Sequence, residues 1–387
     1  KGFLINTGSA VTVTLPASPT TGSEVIIVDQ TGQAATNAIT LGRNGSKIKG
    51  GCNDLLLATD RGGLRLVYSG SSQGWITATA GNDATATPAF MSASGGTETT
   101  SGNYKIHTFT SDGTFTVSRA AATPANNEVS YLVVAGGGGG AGDNGGGGGA
   151  GGFRESKSGV DCYSASPLEG ATNVSVTAQA YPITIGAGGT AGSAPAPYNG
   201  TSGADSVFTT VTSAGGGRGG TGHTSPSDAG AAGGSGGGGG RKAGGSGAGN
   251  TPPVSPPQGS AGGAGPPGTS NCQGSGGGGG ATVVGVNGKP TSCTGSGCGG
   301  AGAGTGINPA TPVGTPGPSG PLRYFAGGGG GSLKGGHPQP QSTGGVGGGG
   351  NYVKGGPATA GTTNTGGGGA GDAAGGSGIV IIRYKYQ

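Results

Sequence analysis

"YLVVAGGGGGAGDNGGGGGAGGF", Tyr131–Phe153, is the stretch on which the reading of this chain turns. An apolar run with the character of a buried strand stops in glycine, and eleven of the fourteen residues from Gly136 to Gly149 carry no side chain. A flexible tether is the simplest interpretation, because glycine loses more backbone freedom on ordering than any other residue. Three features oppose it. The later glycine runs, beginning at Gly215, Gly236, Gly276, Gly327, Gly347 and Gly366, are broken by proline clusters and single apolar residues, not by a smooth Gly/Ser background. The glycine-rich region closes on "GIVIIRYKY", a strand that would invite aggregation if left unpaired. "YLVVA" enters the region and "GIVIIRY" leaves it, so the two can pair and bring its ends together.

The conformation that orders glycine is the extended left-handed helix of the polyproline II type. It has three residues per turn, a rise of about 3.1 Å and no internal hydrogen bonds. Its amide and carbonyl groups point outward in three directions. Chains without side chains can approach closely enough to pair those groups with one another, as burial requires. A five-residue run is then a rod of roughly 15 Å. The runs are expected to form a lattice, with the segments between them projecting from its ends, where binding specificity usually resides. Collagen is excluded because glycine does not recur at every third position. A strict solenoid is excluded because only the last three runs, starting at Gly327, Gly347 and Gly366, are evenly spaced.

Composition agrees. Of 387 residues 103 are glycine, about four times the usual share of roughly 7%, and only 9% are charged. That argues against an ordinary enzyme, and against the highly charged kind of disorder. A dispersed net charge of +4 gives no electrostatic footprint for nucleic acid. No apolar run approaches the roughly 18 residues of a membrane-spanning helix, so no membrane insertion is expected. The chain starts at Lys1, which suggests a fragment or a processed product. Five cysteines leave at least one outside any intrachain disulfide set. One disulfide among Cys272, Cys293 and Cys298 suits an oxidising compartment, and the pairing stays open.

Residues 1–80 read as β. "AVTVTLP" alternates and is stopped by Pro16, "SEVIIVD", "DLLLAT", "LRLVYSG" and "GWITAT" follow, and Asn44-Gly45 is a hairpin signal. Residues 81–103, rich in Ala, Ser, Thr and Gly, read as a linker, with Phe90 and Met91 as an anchor that packs it down. Residues 104–387 form the glycine-rich unit with its framing strands, and Asp112-Gly113 predicts a hairpin between "HTFT" and "TFTV". The expected fold is an all-β N-terminal module plus a polyglycine II helix sandwich, with essentially no α-helix.

The order "HTFTSDGTFTV … YLVVAGGGGGAG … GGGGGAGGF … YPITIGAGG … YFAGGGGG … NTGGGGAG … GGSGIVIIRY", from about His107 to Tyr384, resembles the glycine-rich domain of tailed-phage tail proteins. Its framing strands and the order of its runs carry the match, and the loops do not. The resemblance implies an architecture similar to the receptor-recognition adhesins of T-even-like phages, with distal loops that select the host receptor. "FLINTGSAVTVTLPASPTTGSEVIIVDQTG", together with residues 35–51 and 55–75, resembles a module of phage tail-fibre shafts, and that likeness implies a homotrimer. The long proline-rich loops and five cysteines depart from those adhesins, so no particular receptor is implied.

No catalytic, cofactor or metal constellation stands out. His107 reads as a surface or cross-strand residue, and His223 and His337 as loop residues. Asp54 and Asp60, the nearest approach to a glycosidase carboxylate pair, read as turn residues. Candidate receptor contacts are loop aromatics, which suit sugar rings, and loop cations, which suit acidic glycans: Tyr163, Tyr198, His223, Arg241, Lys242, His337 and Tyr352. Tyr131, Phe153, Tyr324 and Phe325 read as packing. The function expected is that of a non-enzymatic phage tail fibre or adhesin, extracellular on the virion tail. Its expected partners are a host-surface glycan or outer-membrane receptor and other tail proteins. A self-assembling bacterial extracellular fibre or matrix protein, and a virion-associated glycan hydrolase, are the alternatives.

Overall fold

Strand Ile379–Lys385 lies between Tyr104–Phe109 and Glu128–Val134, antiparallel to both, with Tyr131 opposite Ile382 and Val134 opposite Ile379. The entering and leaving strands of the glycine-rich region therefore pair as expected in this computed structural model, which describes residues 1–78, 86–88, 90–171, 173–193, 198–223, 228–267, 274–289, 297–310, 312–318, 320–333 and 341–387. Thr97–Ser101, Phe153–Ser156 and the short strand Val174–Ser175, which pairs with Glu128–Val134, complete the six-stranded sheet. Both of its faces are covered, which is why "IVIIRY" is apolar almost throughout and does not alternate. Tyr131, Val133, Val380, Ile382 and Tyr384 join a core with Phe115, Phe208 and Val211 of a second sheet. Leu132, Val134, Ile379 and Ile381 face the base of the glycine region, with Phe153, Ala303 and Phe325.

Above Val134 the chain runs straight through 136–142, turns at Asp143-Asn144 and returns through 145–152 (both turn residues have left-handed φ, 52° and 57°). The outgoing segment shows the three-fold period directly. Gly136, Gly139 and Gly142 donate to the carbonyls of Ala204, Thr201 and Tyr198. Gly137 and Gly140 donate to Gly376 and Ala373, and Gly138 and Ala141 donate to Gly149 and Gly146. All three acceptor segments run antiparallel to it. Its own carbonyls accept from three parallel segments, at Gly216 and Gly219, Gly189 and Gly192, and Gly369 and Asp372. Six neighbours at N···O distances of 2.7–3.1 Å surround one rod, and this is the polyglycine lattice expected from the sequence. A Cβ on Gly136, Gly137, Gly138, Gly139 or Gly140 would lie closer than 3.0 Å to a neighbouring backbone carbonyl oxygen.

The N-terminal module is a two-sheet sandwich. Gly2–Ile5, Glu24–Asp29, Gly63–Tyr68 and Trp75–Thr77 form one sheet, and Val11–Thr14, Ile39–Gly42, Leu55–Leu57 and Ala86–Pro88 the other. Leu15, Val25, Ile27, Leu41, Leu57, Leu66 and Trp75 lie between them. The buried Asp29 carboxylate ties three loops together, accepting from the Thr7 hydroxyl and from the backbone of Gly32, Ala34 and Arg61. Burial alone would raise its pKa, but these four donors outweigh it and hold the carboxyl well below the usual range. Among the described residues there is no α-helix, only a 3₁₀ turn at Pro124–Asn127.

Three expectations need correction. Residues 81–103 contain strands rather than only linker: Ala86–Pro88 extends the N-terminal sandwich, Ser92–Ser94 pairs with Gly113–Arg119, and Thr97–Ser101 pairs with Tyr104–Phe109. Thr-rich alternation and the positive-φ glycines Gly95, Gly96 and Gly102 make those turns possible. Tyr104–Phe109 and Gly113–Arg119 do not form a hairpin across Asp112-Gly113. They belong to different sheets, and Asp112 instead accepts from the amide of Ile185 at the corner. Asn44-Gly45 does turn, with Ser46 donating to the Arg43 carbonyl, but Ile39–Gly42 pairs onward with Leu55–Leu57. Phe90 and Met91 are buried, as the anchor reading required.

His107 is a cross-strand residue, opposite Glu98 and Ile382, and is fully buried rather than on the surface. Its ring stacks on Tyr384 at 5.6 Å and meets Phe115 edge-on, and Nδ1 lies 2.7 Å from the Gly95 carbonyl. Burial lowers its pKa, against the opposing pull of the Gly95 carbonyl and Glu98. A histidine whose folded pKa lies below its unfolded value costs no stability at neutral pH and costs progressively more as pH falls through the unfolded value of about 6.5. The unfolding free energy of the parent should therefore drop between pH 7 and pH 5 by more than that of His107→Phe, measured by denaturant titration at each pH.

The lattice makes a second prediction. Gly138→Ala and Gly278→Ala place a methyl against the carbonyls of Gly217 and Gly148, and each should cost at least the 1–3 kcal/mol or so of an overpacked site. Gly159→Ala, with nothing within 4 Å, should stay within about 0.5 kcal/mol. Equal costs at the three positions would contradict the lattice, as would amide exchange at Gly138 and Gly148 as fast as in a free peptide.

Candidate functional site

The outgoing rods end together, away from the framing sheets. Tyr198 accepts from Gly142 through its carbonyl at 2.7 Å, and the Thr221 hydroxyl donates to the Gly142 carbonyl at 3.1 Å. Asp228 donates to Thr221, Gly240 donates to Asp228, and Asp372 donates to Ala141. Turns from five distant parts of the sequence thus meet around Asp143.

Four of the predicted contacts lie in this cluster. The rings of Tyr198 and His223 stack at 3.9 Å and 12°. His223 is exposed, and its Nδ1 lies 3.3 Å from an Asp143 carboxylate oxygen. The Arg241 side chain passes close to Gly222, whose Cβ would sit 3.0 Å from Arg241 Cγ. Asp372 accepts a backbone hydrogen bond from Asp143. Tyr352 stands near Asp372, and its phenol is raised by burial and by that carboxylate. Lys242 is half-buried in the same turn as Arg241.

The reading of Tyr163 needs correction. It is 8% exposed and lies in the core beneath the framing sheet, where its ring is 5.4 Å from the Arg383 guanidinium. Arg383 is itself buried, paired with Asp161 at 3.0 Å and donating to the Ile307 carbonyl. Burial and the neighbouring Glu155 carboxylate hold the Tyr163 phenol far above its ordinary range. An aromatic ring in a cysteine-flanked loop looked like a surface residue, whereas here it covers a buried ion pair. His337, Cys272 and Cys293 lie outside the described residues. Cys52, Cys162 and Cys298 are free thiols. Asp54 and Asp60 each accept one backbone amide, from Arg43 and Ala35, which is the turn role expected of them.

The site also contains residues that reading the sequence missed. Arg218 donates to the Asn199 side chain at 2.9 Å, and Asn199 donates to Asp228 at 3.0 Å. Asp143 and Asp372 were missed as well. The available signal was positional and partial: Asp143 and Asp372 interrupt glycine-rich stretches where a rod turns, whereas Arg218 interrupts a run that continues straight through it.

Chemically the cluster offers an aromatic pair, the half-buried guanidiniums of Arg218 and Arg241, and the carboxylates of Asp143, Asp228 and Asp372. Among the described residues no group of three or more His, Cys, Asp or Glu is placed to hold a metal ion. Residues 108–385 match the glycine-rich domain family, and since the match covers most of the chain, the protein belongs to that family. No curated protein matches the chain.

Partial burial and the nearby Asp143 carboxylate raise the Asp372 pKa. An acid raised on folding costs stability in full above its folded pKa; the cost shrinks as pH falls below that value and is gone only below the unfolded pKa, where both states are protonated. Asp372→Asn should raise the melting temperature at pH 7, with the gain shrinking as pH falls through the carboxylate range. A loss at pH 7 would show that the carboxylate is favourably placed.

Proposed function

We propose that this chain is part of a tailed-phage tail fibre or its adhesin, and that loops displayed on the polyglycine lattice bind a host-surface glycan or outer-membrane receptor. In this reading it is a binding and structural protein, exposed on the virion tail and joined to other tail proteins. The observation that carries the proposal is the convergence of Tyr198, His223, Arg241 and Tyr352 around Asp143, at the end of the rods farthest from the framing sheets. A rigid lattice that spends its backbone groups on itself leaves those loops free to carry specificity.

The N-terminal module supports self-association. Leu4, 69% exposed, and the less exposed Ile26 and Ile76 project from the outer face of one sheet, where only the Arg65–Glu24 ion pair breaks the apolar surface. We assign that face to the contact between copies in a homotrimer. The same face favours the second reading, a bacterial extracellular fibre that polymerises, because an apolar sheet face serves either closed or open assembly.

Fluorescently labelled chain should bind the surface of a subset of strains in a panel of Gram-negative bacteria. Tyr198→Ala/His223→Ala should lose at least tenfold of that binding while melting like the parent. Labelling of no strain, or unchanged labelling by the folded double variant, would overturn the receptor reading. In sedimentation, a closed trimer that Leu4→Glu converts to monomer fits the tail fibre, whereas open-ended polymers fit the matrix protein.

A further inference from the structure

Between the N-terminal module and the glycine-rich unit lies a cleft of about 540 Å³, within the roughly 300–1,000 Å³ typical of small-molecule sites. Three of its lining residues are cations that come from both units. Arg43 belongs to the module, Lys105 to strand Tyr104–Phe109 and Arg119 to strand Gly113–Arg119. Among the described residues no acidic side chain lines it.

The partners of these cations are mostly neutral. Arg43 donates through Nη2 to the side-chain oxygen of Gln387 at 3.0 Å. Asn53 satisfies both of its neighbours when its amide nitrogen faces the Tyr386 carbonyl, at 2.6 Å, and its oxygen faces Arg119 Nη2, at 3.2 Å. Lys105 pairs with Glu98 at 2.7 Å and also stands 5.7 Å from the centre of the Tyr386 ring. Of the three cations only Lys105 thus has a carboxylate partner, and the two guanidiniums meet only amide oxygens in these contacts. A guanidinium has a planar fork that matches carboxylate and phosphate oxygens two at a time, so two of them in one cleft form a receptor for an oxyanion. The aromatic edge of Tyr386 and the amides of Asn53 and Gln387 supply the surface and the hydrogen bonds that a sugar-sized body would use.

We propose that this cleft binds a small molecule that carries an oxyanion, phosphate or carboxylate, on a sugar-sized body, and that the ligand bridges the two units of the chain. The proposal stands apart from the host-binding reading of the distal loops, because the two clusters share no residue. Bridging has a consequence of its own: an occupied cleft ties the module to the framing sheet by charge, where the empty one is tied by amide hydrogen bonds.

Isothermal titration of the whole chain with glucose 6-phosphate, glucuronate and glucose tests it. At least one of the anions should bind, weakening as salt is raised, while glucose gives no heat. Arg119→Gln, at an exposed position, should weaken binding at least tenfold with an unchanged melting curve, and Arg43→Gln/Arg119→Gln should abolish it. Binding of glucose 6-phosphate alone assigns a phosphoryl ligand, of glucuronate alone a carboxylate ligand, and of both a site that reads charge. Absence of binding by both anions overturns the proposal, as does binding that the folded Arg119→Gln variant retains in full.

Discussion

A backbone amide removed from water must find a partner, and in most proteins a helix or a ladder of strands provides it. Here the partner is a carbonyl on a neighbouring three-fold rod, and that arrangement holds only while nothing larger than a hydrogen projects between the rods. Gly138 shows the constraint from both sides: it donates to Gly149 and accepts from Gly369, and a Cβ on it would press against the Gly217 carbonyl. The composition of the chain follows from that spacing. Alanine enters where a rod faces the core, as Ala150 does at the apolar base, and Asp143 and Asp372 stand at turns.

Rod-to-rod bonding of this kind does not carry the fold alone. Each rod residue gains about one hydrogen bond, worth on the order of 1 kcal/mol net, against roughly 1–2 kcal/mol for fixing its backbone. The balance is near zero or adverse, so the surplus has to come from the framing sheets. Ile379–Lys385 supplies much of it, since six of its seven residues are buried and it packs against cores on both faces. The Asp161–Arg383 pair fits the same picture. Buried ion pairs contribute little to stability against an apolar alternative, but breaking one is costly. With Ser130, Tyr104 and Ile307 all meeting the pair, it sets the register of the last strand against the loop above it.

Sequence reading recovered the parts of the fold that depend on these two effects. The pairing of "YLVVA" with "GIVIIRY", the three-fold rods and the β module were all legible, because apolar runs and uninterrupted glycine each have one structural use. What escaped were the partners of the shorter strands. Asp112-Gly113 has the residues of a hairpin turn, yet the strand after it crosses to another sheet, because Phe115 and Val117 find their core there with Phe208 and Val211. His107 sits in an alternating strand and read as a surface or cross-strand residue; it is cross-strand, opposite Glu98 and Ile382, but buried because both faces of its strand are covered. Half of the distal cluster was visible as loop aromatics and cations. Asp143, Asn199, Arg218 and Asp372 were not, since only the lattice register brings residues so far apart in the chain to one end.

That register also explains why recognition and stability can be separated in such a molecule. A loop between two strands usually feeds its strain into their ladder, because the ladder needs both partners in phase. A rod in the lattice is bonded to as many as six neighbours, of which only the adjacent one shares its turn. For 136–142 that neighbour is 145–152, and the other five contacts come from segments that turn elsewhere. Lengthening or rewriting one turn therefore disturbs one contact in six and leaves the rod in place. The Asp143-Asn144 turn, two left-handed residues that reverse the chain in the least possible length, shows how little the lattice requires of a turn. The proline-rich segment after Asn250 shows how much more it accepts, since Asn250 holds the amides of Val254 and Gln258 while the rods beside it keep their bonds. A scaffold that tolerates both extremes at its ends is free to vary its surface without renegotiating its fold.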